Sequence, residues 1–313
     1  MKQNSKIYVA GHKGLAGSAI WRQLLKEGYL NLIGRNSSEV DLRKKDLVDS
    51  FFDVERPEYV FLAAGHVGGI RANSDFPVDF ILNNILIQNN VIDAAHRFGV
   101  RKLLFLGSSC VYPRCAPQPI REEYLMSGPL ESTNEGYAIA KIAGIELCQA
   151  YRRQYSCDFI CAMPTNLYGP NDNYNLSSSH VLAGMLRRFH NAKVSGSVVN
   201  CWGSGKPLRE FLHSDDFARA IVFLMKEYSS DKIINVGSGC EVSIKELSGI
   251  IASVVGFTGD IVWDLSQPDG TPRKLLDCSR ILELGWNSSI DLESGITSAY
   301  KDFIDNYKTY NNE

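Results

Sequence analysis

Three glycines that follow the first apolar segment constrain the fold of this chain more than any other feature. Residues 6–10 (KIYVA) read as a short strand, and Gly11-His-Lys-Gly14-Leu-Ala-Gly17 follows them directly. Apolar residues at helical spacing then predict a helix from Leu15 to about Glu27. Glycines between a strand and a helix permit a tight turn and let the backbone approach a pyrophosphate, which the helix N-terminus attracts. This order predicts a dinucleotide-binding unit.

Apolar segments alternate with helix-like segments through the first 165 residues. Strands are predicted at 29–34, 58–64, 101–107 and 158–163, and helices at 46–55, 78–98 and 137–155. The strand at 58–64 is almost continuously apolar, as expected when helices cover both faces of a parallel sheet. The alternation predicts an α/β fold with a doubly wound parallel sheet, a Rossmann domain, over residues 1–165.

The regular alternation weakens after residue 170. A polar loop at 171–179 precedes a helix from His180 to about Asn191, and further helices are predicted at 215–227, 243–255 and 292–307. A strand is predicted at 233–236 and a loop at 266–274. Residues 166–313 are therefore predicted to form a smaller α/β substrate-binding lobe that is interwoven with the first domain.

Composition excludes several classes of protein. The chain has 313 residues, 44% of them hydrophobic, and a net charge of −2, which argues against binding to nucleic acid or a membrane surface. No apolar run approaches the roughly 18 residues of a membrane span, and the polar N-terminus gives no indication of a signal peptide. The eight cysteines include no Cys-x-x-Cys, and most lie in apolar segments, which predicts a reduced, cytoplasmic protein. The six histidines show no ligand spacing, so no metal is expected.

The end of the second predicted strand bears on the choice of dinucleotide. Arg35 stands there, followed by Asn36-Ser37-Ser38, while Glu39 and Asp41 come only later. An acidic residue at this place bonds the ribose 2′-hydroxyl of NAD, whereas an arginine accommodates the 2′-phosphate of NADP. Lys13 in the glycine turn is a second basic candidate. The pattern favours NADP, with a solvated Arg35 as the alternative.

A Tyr-x-x-x-Lys pair opens the helix predicted at 137–155. Tyr137 and Lys141 share one helix face, and a nearby ammonium favours the phenolate, so Tyr137 is a candidate for acid–base catalysis. The spacing alone is weak evidence, because Tyr228 and Lys232 repeat it in a polar stretch. The first pair is favoured because Gly107-Ser108-Ser109-Cys110 closes an apolar strand, and parallel topology brings that strand end to the same edge of the sheet.

Several motifs together resemble those of the extended short-chain dehydrogenase/reductase superfamily. They are the glycine turn, Gly-Ser-Ser-Cys-Val-Tyr-Pro from residue 107, the Tyr137–Lys141 pair and Pro-Thr-Asn-Leu-Tyr-Gly-Pro from residue 164. Within that superfamily, Ala-Ile-Ala-Lys-Ile-Ala-Gly, Ser-His-Val, Trp-Gly-Ser-Gly, Arg-Glu-Phe-Leu-His and Gly-Thr-Pro-Arg-Lys-Leu-Leu-Asp resemble the GDP-L-fucose synthase family. The resemblance runs from residue 6 to about 286. It implies a homodimeric epimerase–reductase that converts GDP-4-keto-6-deoxy-D-mannose to GDP-L-fucose with NADPH.

The resemblance also implies a role for each residue at the reacting centre. Ser108 would bond the substrate carbonyl, Tyr137 would protonate the C4 oxygen, and Lys141 would hold the nicotinamide ribose. Because a ketone at C4 acidifies the hydrogens on C3 and C5, inversion needs a base and an acid, and Cys110 and His180 match those positions. A thiol needs only a modest downward pKa shift from a nearby cation to act as base, and histidine titrates near neutrality.

The resemblance extends to the binding segments. The guanidinium groups of Arg188 and Arg209 suit a diphosphate. Arg187 lies about 100° around the helix from Arg188 and is expected to be solvated. The family often has a further basic residue where residues 36–38 stand, so more of the NADP preference falls to Lys13 and Arg35. The cofactor would contact Gly11, His12, Lys13, Gly14, Leu15, Ala16, Gly17, Arg35, Lys141, Pro164, Thr165, Asn166, Leu167 and His180; the GDP-sugar would contact Arg188, Trp202, Arg209, Lys274 and Asp277.

Three other functions share parts of this pattern. A GDP-colitose synthase, acting on a 3,6-dideoxy ketosugar, would have the same catalytic residues. A UDP-sugar 4-epimerase only removes and returns a hydride, so Cys110 and His180 argue against it. Without the resemblance, Cys110 would be interpreted as a buried hydrophobic residue and His180 as a surface residue. A nucleotide-sensing protein on the same fold has no need of Ser108, Tyr137 and Lys141.

Overall fold

The computed structural model describes residues 1–267 and 269–306. The strands are β1 (Ile7–Ala10), β2 (Leu32–Ile33), β3 (Tyr59–Leu62), β4 (Lys102–Leu106), β5 (Asp158–Pro164), β6 (Asn166–Tyr168), β7 (Val199–Trp202), β8 (Leu208–His213), β9 (Ile234–Val236), β10 (Glu241–Ser243), β11 (Ile261–Asp264) and β12 (Arg273–Lys274). The helices are α1 (Leu15–Lys26), α2 (Lys45–Glu55), α3 (Ile70–Asp75), α4 (Pro77–Arg97), α5 (Glu135–Tyr155), α6 (Val181–Ser195), α7 (Ser214–Glu227), α8 (Ile244–Val255), α9 (Ser279–Glu283) and α10 (Leu292–Asp305). Short 3₁₀ helices lie at 109–111, 122–124 and 132–134.

Six strands form one parallel sheet in the order β2-β1-β3-β4-β5-β9. Every residue of β1 and β4 is buried, because α1 packs with α7 on one side and α4 packs with α2 and α5 on the other. The predicted doubly wound sheet is confirmed. Strand order reverses at β1, so a crevice for ligands opens at the carboxyl ends of β1 and β3.

The second half of the chain both completes this sheet and builds a second core. Strand β8 pairs with β10, β12 and β6, and β7 pairs with β11. Side chains of α6, α8 and α10 bury a separate apolar cluster that includes Phe189, Ile251 and Phe303. Phe217 of α7 and Ile234 of β9 belong instead to the main core. The second half of the chain therefore contributes to both cores.

Most predicted elements agree with the structure to within a few residues. The second strand is shorter than predicted, since only Leu32–Ile33 is paired and Leu30 is 80% exposed. Strands β6, β8, β10 and β11 were not predicted. Helix α3 was not predicted, because Ile70 is exposed and the helix buries only Asn73. Strand β12 lies in a predicted loop and depends on pairing with β8. Residue 307, the predicted end of the last helix, lies outside the described residues.

Candidate active site

The glycine turn after β1 has no room for side chains at two of its positions. Gly11 has a φ of +80°, and a Cβ there would lie 2.8 Å from the backbone nitrogen of Ala64. A Cβ on Gly17 would lie 2.1 Å from the Gly11 carbonyl oxygen. Gly14 is the N-cap of α1 and has only an ordinary contact there. The glycines therefore bring α1 against the end of β1 and leave the turn open to a ligand.

Two features of this turn fit the phosphates of a dinucleotide. The first turn of α1 has no capping side chain and no acidic residue, so its N–H groups and positive dipole end are available to an anion. The Nδ1 atom of His12 is buried and has no hydrogen-bond partner within residues 1–267 and 269–306. Burial, and then the charges of Lys13 and Arg35, lower the pKa of His12 despite the opposing charge of Glu39.

Arg35 lies beside this turn but is already partnered. Its guanidinium is 2.6 Å from Glu55, donates to the Gly34 carbonyl at 2.9 Å, and lies 5.9 Å from the centre of the Phe51 ring. The solvated alternative does not describe this arrangement. Glu55 fixes the orientation of the Arg35 guanidinium, and a 2′-phosphate that bound Arg35 would contact a guanidinium that is also paired with Glu55.

Residues 164–167 continue from the carboxyl end of β5 at the same edge of the sheet. Pro164 is the last residue of β5, and the next residue, Thr165, is buried and bonds β9 through its N–H and β8 through its hydroxyl. The amide of Asn166 also donates to β8, at the Glu210 carbonyl, 2.8 Å away. Leu167 is partly buried. These bonds fix the segment to β8 and β9 at the carboxyl edge of the sheet.

Lys141 is buried in the first turns of α5, where its side chain is fixed. Its ammonium donates to the Leu106 carbonyl at 2.8 Å and lies 4.8 Å from the Phe105 ring centre and 5.8 Å from the Tyr137 ring centre. Burial lowers the pKa of Lys141 to about 8. The predicted Tyr137–Lys141 pair thus shares one helix face.

The pKa of Tyr137 moves in the opposite direction to the prediction. Burial and the nearby Cys110 raise it, a hydrogen bond with Ser108 lowers it, and Lys141 makes no resolved contribution. The physical reason is that desolvation of the phenolate outweighs the attraction of an ammonium almost 6 Å from the ring centre. A phenol that keeps its proton at neutral pH is suited to donating it.

The second Tyr-x-x-x-Lys pair has no comparable geometry. Tyr228 follows the last residue of α7 in an extended conformation, so it does not share a helix face with Lys232. Its hydroxyl donates to the backbone carbonyl of Lys232 at 2.8 Å. This pair is structural.

Two polar residues of α4, Asn84 and Gln88, are internal. The Asn84 side chain bonds the backbone of His66 and Phe80, and Gln88 donates to the Ala140 carbonyl at 2.6 Å. Both side chains are about 2% exposed. They join α4 to α5 and to the turn after β3, so they are neither solvated nor free for contact with another subunit.

Cys110 is the best-partnered thiol at the edge of the sheet. It lies in the 3₁₀ helix at 109–111, where its N–H donates to the Ser108 hydroxyl at 3.2 Å. The Lys274 ammonium lies 3.4 Å from the sulfur of Cys110, and the Asn134 side-chain nitrogen lies 3.3 Å from the same sulfur. Burial raises the pKa of Cys110, but the charge of Lys274 and hydrogen bonds from Ser108, Lys274 and Asn134 outweigh it, so the pKa is lowered. Asn134, just before α5, was not predicted to be a site residue. The only signal for it in the sequence is that it lies three residues before Tyr137.

His180 is the N-cap of α6 and is exposed to solvent. Desolvation of the imidazole by neighbouring groups, and then the charge of Lys274, lower the pKa of His180. The loop before it is bonded to the start of α3, because the N–H of Gly69, the N-cap of α3, donates to the Ser178 carbonyl at 2.9 Å. The positive charge of Lys274 therefore acts on both predicted proton-transfer groups, Cys110 and His180.

Four predicted substrate contacts form two neighbouring pairs in the second half of the chain. The Arg188 guanidinium lies 5.7 Å from the ring centre of Trp202, which is 52% exposed. Arg209 pairs with Lys274 across β8 and β12. Burial lowers the pKa of both arginines, but guanidinium groups remain charged at neutral pH. These cations suit a diphosphate beside a flat aromatic surface.

Arg187 and Asp277 are both held by contacts away from these pairs. The expectation that Arg187 is solvated is wrong: it is partly buried and donates to the Tyr174 carbonyl at 3.1 Å, because α6 packs on the preceding loop. The Asp277 carboxylate accepts from Ser279 and lies 3.6 Å from Arg121. Among the contacts described, none joins Asp277 to Cys110, Arg188 or Arg209.

Comparisons with known proteins identify the family of the chain. The NAD dependent epimerase/dehydratase family matches residues 7–237. A protein of Oryza sativa subsp. japonica named "Probable GDP-L-fucose synthase 1" is 57% identical over 306 residues, covering 97% of this chain and 93% of that protein. The GDP-L-fucose synthase of Escherichia coli (strain K12) is 50% identical over 311 residues, covering 96% and 97%.

A solved structure and a more distant relative complete the comparison. A GDP-L-fucose synthetase of Naegleria fowleri bound to NADP superimposes with a TM-score of 0.92 at 34% identity, covering 99% of this chain and 97% of that one. The GDP-L-colitose synthase of Yersinia pseudotuberculosis is 37% identical over 302 residues, covering 96% and 98%. The chain belongs to the NAD dependent epimerase/dehydratase family, and within it to the GDP-L-fucose synthase family.

Proposed function

We propose that the chain converts GDP-4-keto-6-deoxy-D-mannose to GDP-L-fucose by inverting C3 and C5 and then reducing C4 with NADPH. The observation that carries this proposal is the thiol of Cys110, which two donors contact just beyond Ser108. A reductase alone needs no such base. A thiol polarised beside a Ser–Tyr–Lys group supports proton transfer next to a ketone that is later reduced.

NADPH, when bound, supplies the hydride for C4. The turn at residues 11–17 fits its pyrophosphate, and Lys13 and Arg35 would hold its 2′-phosphate. Lys141 would bond the nicotinamide ribose, since its ammonium is already fixed at the end of β4 by the Leu106 carbonyl. Residues 164–167 would line the nicotinamide side, and His180 would approach it from the second lobe.

Ser108 and Tyr137 would act on the carbonyl oxygen. The Ser108 hydroxyl orients the ketone, and Tyr137 gives its proton to the C4 oxygen as the alcohol forms. Burial keeps the phenol protonated until that step. The phenol then regains a proton from solvent through groups at the same edge of the sheet.

Cys110 and His180 would carry out the inversions. The thiolate of Cys110 removes a hydrogen as a proton from the carbon next to the ketone, and the electron pair moves onto the carbonyl oxygen. His180 then returns a proton to the opposite face of that carbon. Lys274 supports this pair by stabilising the thiolate and by making the imidazolium a stronger acid.

The diphosphate of the GDP-sugar would lie between Arg188 and Arg209, and Trp202 would cover an apolar face of the substrate. Lys274 would reach both the substrate and Cys110. Asp277 is proposed as a further substrate contact, and to serve it would have to exchange its bonds with Ser279.

The experiment that tests this function is incubation with NADPH and each of two ketosugars. GDP-4-keto-6-deoxy-D-mannose should give GDP-L-fucose, identified by NMR, with a higher kcat/KM than the 3,6-dideoxy ketosugar. Faster conversion of the dideoxy sugar would make the chain a GDP-colitose synthase. Interconversion of UDP-sugars without net NADPH consumption would instead support the 4-epimerase alternative.

We also propose a cytoplasmic homodimer whose nucleotide-binding domain covers residues 1–165 and whose substrate lobe covers 166–313. All eight cysteines are free, which fits a reducing compartment. No helix in residues 1–267 and 269–306 is long and apolar enough to cross a membrane. Phe76, Val78 and Leu82 are at least half exposed around α4 and would support a contact between subunits. Sedimentation equilibrium should give twice the mass of the chain.

A further inference from the structure

The proposed chemistry requires Cys110 to act twice on each substrate. After the first inversion the sulfur carries the proton that it took from the sugar, and it cannot act as a base again until it loses it. The bound sugar covers the side of Cys110 on which it reacts. The proton therefore has to leave by another side. His180 has no such difficulty, because it is exposed to solvent.

A small polar pocket adjoins Cys110 where such a route could run. Its volume is about 40 Å³. A buried water needs roughly 15 Å³ of such volume and two to four polar partners, so the pocket has room for a short water chain. Ser108, Tyr137 and His180 are not among the described residues that line it. The lining residues used here are Cys110, Arg114, Glu131, Asn134, Thr271 and Lys274.

One polar atom in this lining has no partner. The Asn134 amide nitrogen donates to the Cys110 sulfur at 3.3 Å, which leaves its oxygen as an acceptor. That oxygen is buried and makes no hydrogen bond to any part of the chain that the structure describes. Buried acceptors are rarely left unsatisfied, so a water in the pocket is the expected partner.

Glu131 places a carboxylate on the same pocket. The Thr271 hydroxyl donates to it at 3.3 Å, and the Arg114 guanidinium lies 3.3 Å away. Its side chain is 18% exposed, while that of Arg114 is 54% exposed. The Glu131 carboxylate thus lines the same pocket as Cys110 and also contacts Arg114, which is exposed at the surface. The ammonium of Lys274 has no free pair to accept a proton, so Glu131 is the base available there.

We propose that Glu131 resets Cys110 between the two inversions by accepting its proton through water in this pocket. The S–H bond breaks, and its electron pair remains on sulfur as the thiolate. The proton passes to a water while that water gives one of its own to a Glu131 oxygen. Glu131 then releases the proton to solvent beside Arg114. The inference rests on the proposed function, and Glu131 acts through Cys110 without touching the sugar.

The test compares Glu131→Gln with Glu135→Gln, which makes the same change at an exposed position four residues later. Each variant in excess is mixed with GDP-4-keto-6-deoxy-D-mannose without NADPH, quenched with borohydride, and analysed for sugars inverted at one or at both carbons. In Glu131→Gln the first inversion should keep its native rate, while the second should slow at least tenfold, so that singly inverted sugar accumulates. Added acetate should restore the second step, since a small carboxylate can enter the pocket. Glu135→Gln should behave as the native protein.

Several outcomes would overturn the relay. A native rate for both inversions in Glu131→Gln would show that Cys110 loses its proton elsewhere. Equal slowing of both inversions would mean that Glu131 tunes the thiol without resetting it. Glu131→Asp retains a carboxylate and should retain most of the second step; loss in this variant without acetate rescue would indicate a structural role. If native protein inverts neither carbon, the proposed function fails, and that result is distinguishable from a failure of the relay.

Discussion

The ammonium nitrogen of Lys274 lies 3.4 Å from the sulfur of Cys110, and the two residues are 164 positions apart in the chain. Lys274 belongs to β12, which the pairing with β8 holds in the second lobe, whereas Cys110 follows β4 of the main sheet. The proposed base therefore becomes reactive only when the two parts of the chain fold together. The same strand pair places Arg209, a proposed substrate contact, beside Lys274, the proposed activator of the thiol.

Replacing Lys274 with methionine should raise the pKa of Cys110. The cation and its hydrogen bond favour the thiolate, so removing both leaves burial to favour the thiol. Alkylation of Cys110 by iodoacetamide, followed peptide by peptide by mass spectrometry, should be several-fold slower at pH 7 and should reach half its maximum at a higher pH. Lys232→Met changes an exposed lysine and serves as the control. Unchanged alkylation in Lys274→Met would remove Lys274 from this role.

Replacing Tyr137 with phenylalanine should stop reduction while preserving cofactor binding. The change removes only the proton that the C4 oxygen would receive, so kcat for NADPH oxidation should fall by about 100-fold or more. The NADPH dissociation constant should remain near the native value. Tyr228→Phe removes a phenol of the structural pair and should retain native turnover. Near-native turnover in Tyr137→Phe would assign the proton to another group.

Replacing Arg35 with alanine should reduce the preference for NADPH over NADH. A guanidinium bonded to a phosphate contributes about 1.5–3 kcal/mol, so the ratio of the two kcat/KM values should fall by about tenfold or more. Arg101→Ala removes an exposed arginine before β4, at the opposite edge of the sheet, and should leave the ratio unchanged. Equal use of both cofactors by the native protein would contradict a role for Arg35 and Lys13 in binding a 2′-phosphate.

Lys141→Met should be inactive yet more stable than the native protein near neutral pH. Burial lowers the folded-state pKa of Lys141 from 10.5 to about 8, so below pH 8 the folded protein holds a costly buried charge. Removing it should stabilise by about 3 kcal/mol, offset by about 1 kcal/mol for the lost bond to Leu106. The native protein regains about 3 kcal/mol of stability as pH rises from 8 to 10.5, so the difference should shrink and then reverse over this range. Denaturant unfolding without cofactor measures it; a less stable variant at pH 7 would contradict the burial argument.

The sheet and the glycine turn could be predicted because local sequence determines them. Apolar runs such as residues 58–64 and the spacing of Gly11, Gly14 and Gly17 act within one βα unit. The meeting of Ser108, Cys110 and Tyr137 also followed, since parallel strands deliver their carboxyl ends to one edge. Identifying Cys110 as a base, however, came from the family resemblance, because a cysteine beside an apolar strand is ordinarily core.

The groups that tune the site could not be predicted from local sequence. The partner of Cys110 is a lysine from a two-residue strand that exists only through its pairing with β8. The pKa of Tyr137 depends on burial by distant segments, which spacing along a helix does not report. Arg187 is partly buried because of a loop contact, which a helical period does not describe. In each case a long-range contact determines the chemistry.

The most direct test of the account is deuterium exchange in D₂O with GDP-4-keto-6-deoxy-D-mannose and no NADPH. The native protein should exchange deuterium into both C3 and C5, because loss of a proton next to a ketone needs no hydride. Cys110→Ser should lose exchange at both carbons, since an alcohol is far too weak a base, while still binding NADPH and slowly reducing the ketone without inversion. Cys115→Ser, at an exposed cysteine, should exchange as the native protein does. Exchange at the native rate in Cys110→Ser would contradict the central claim that Cys110 is the base.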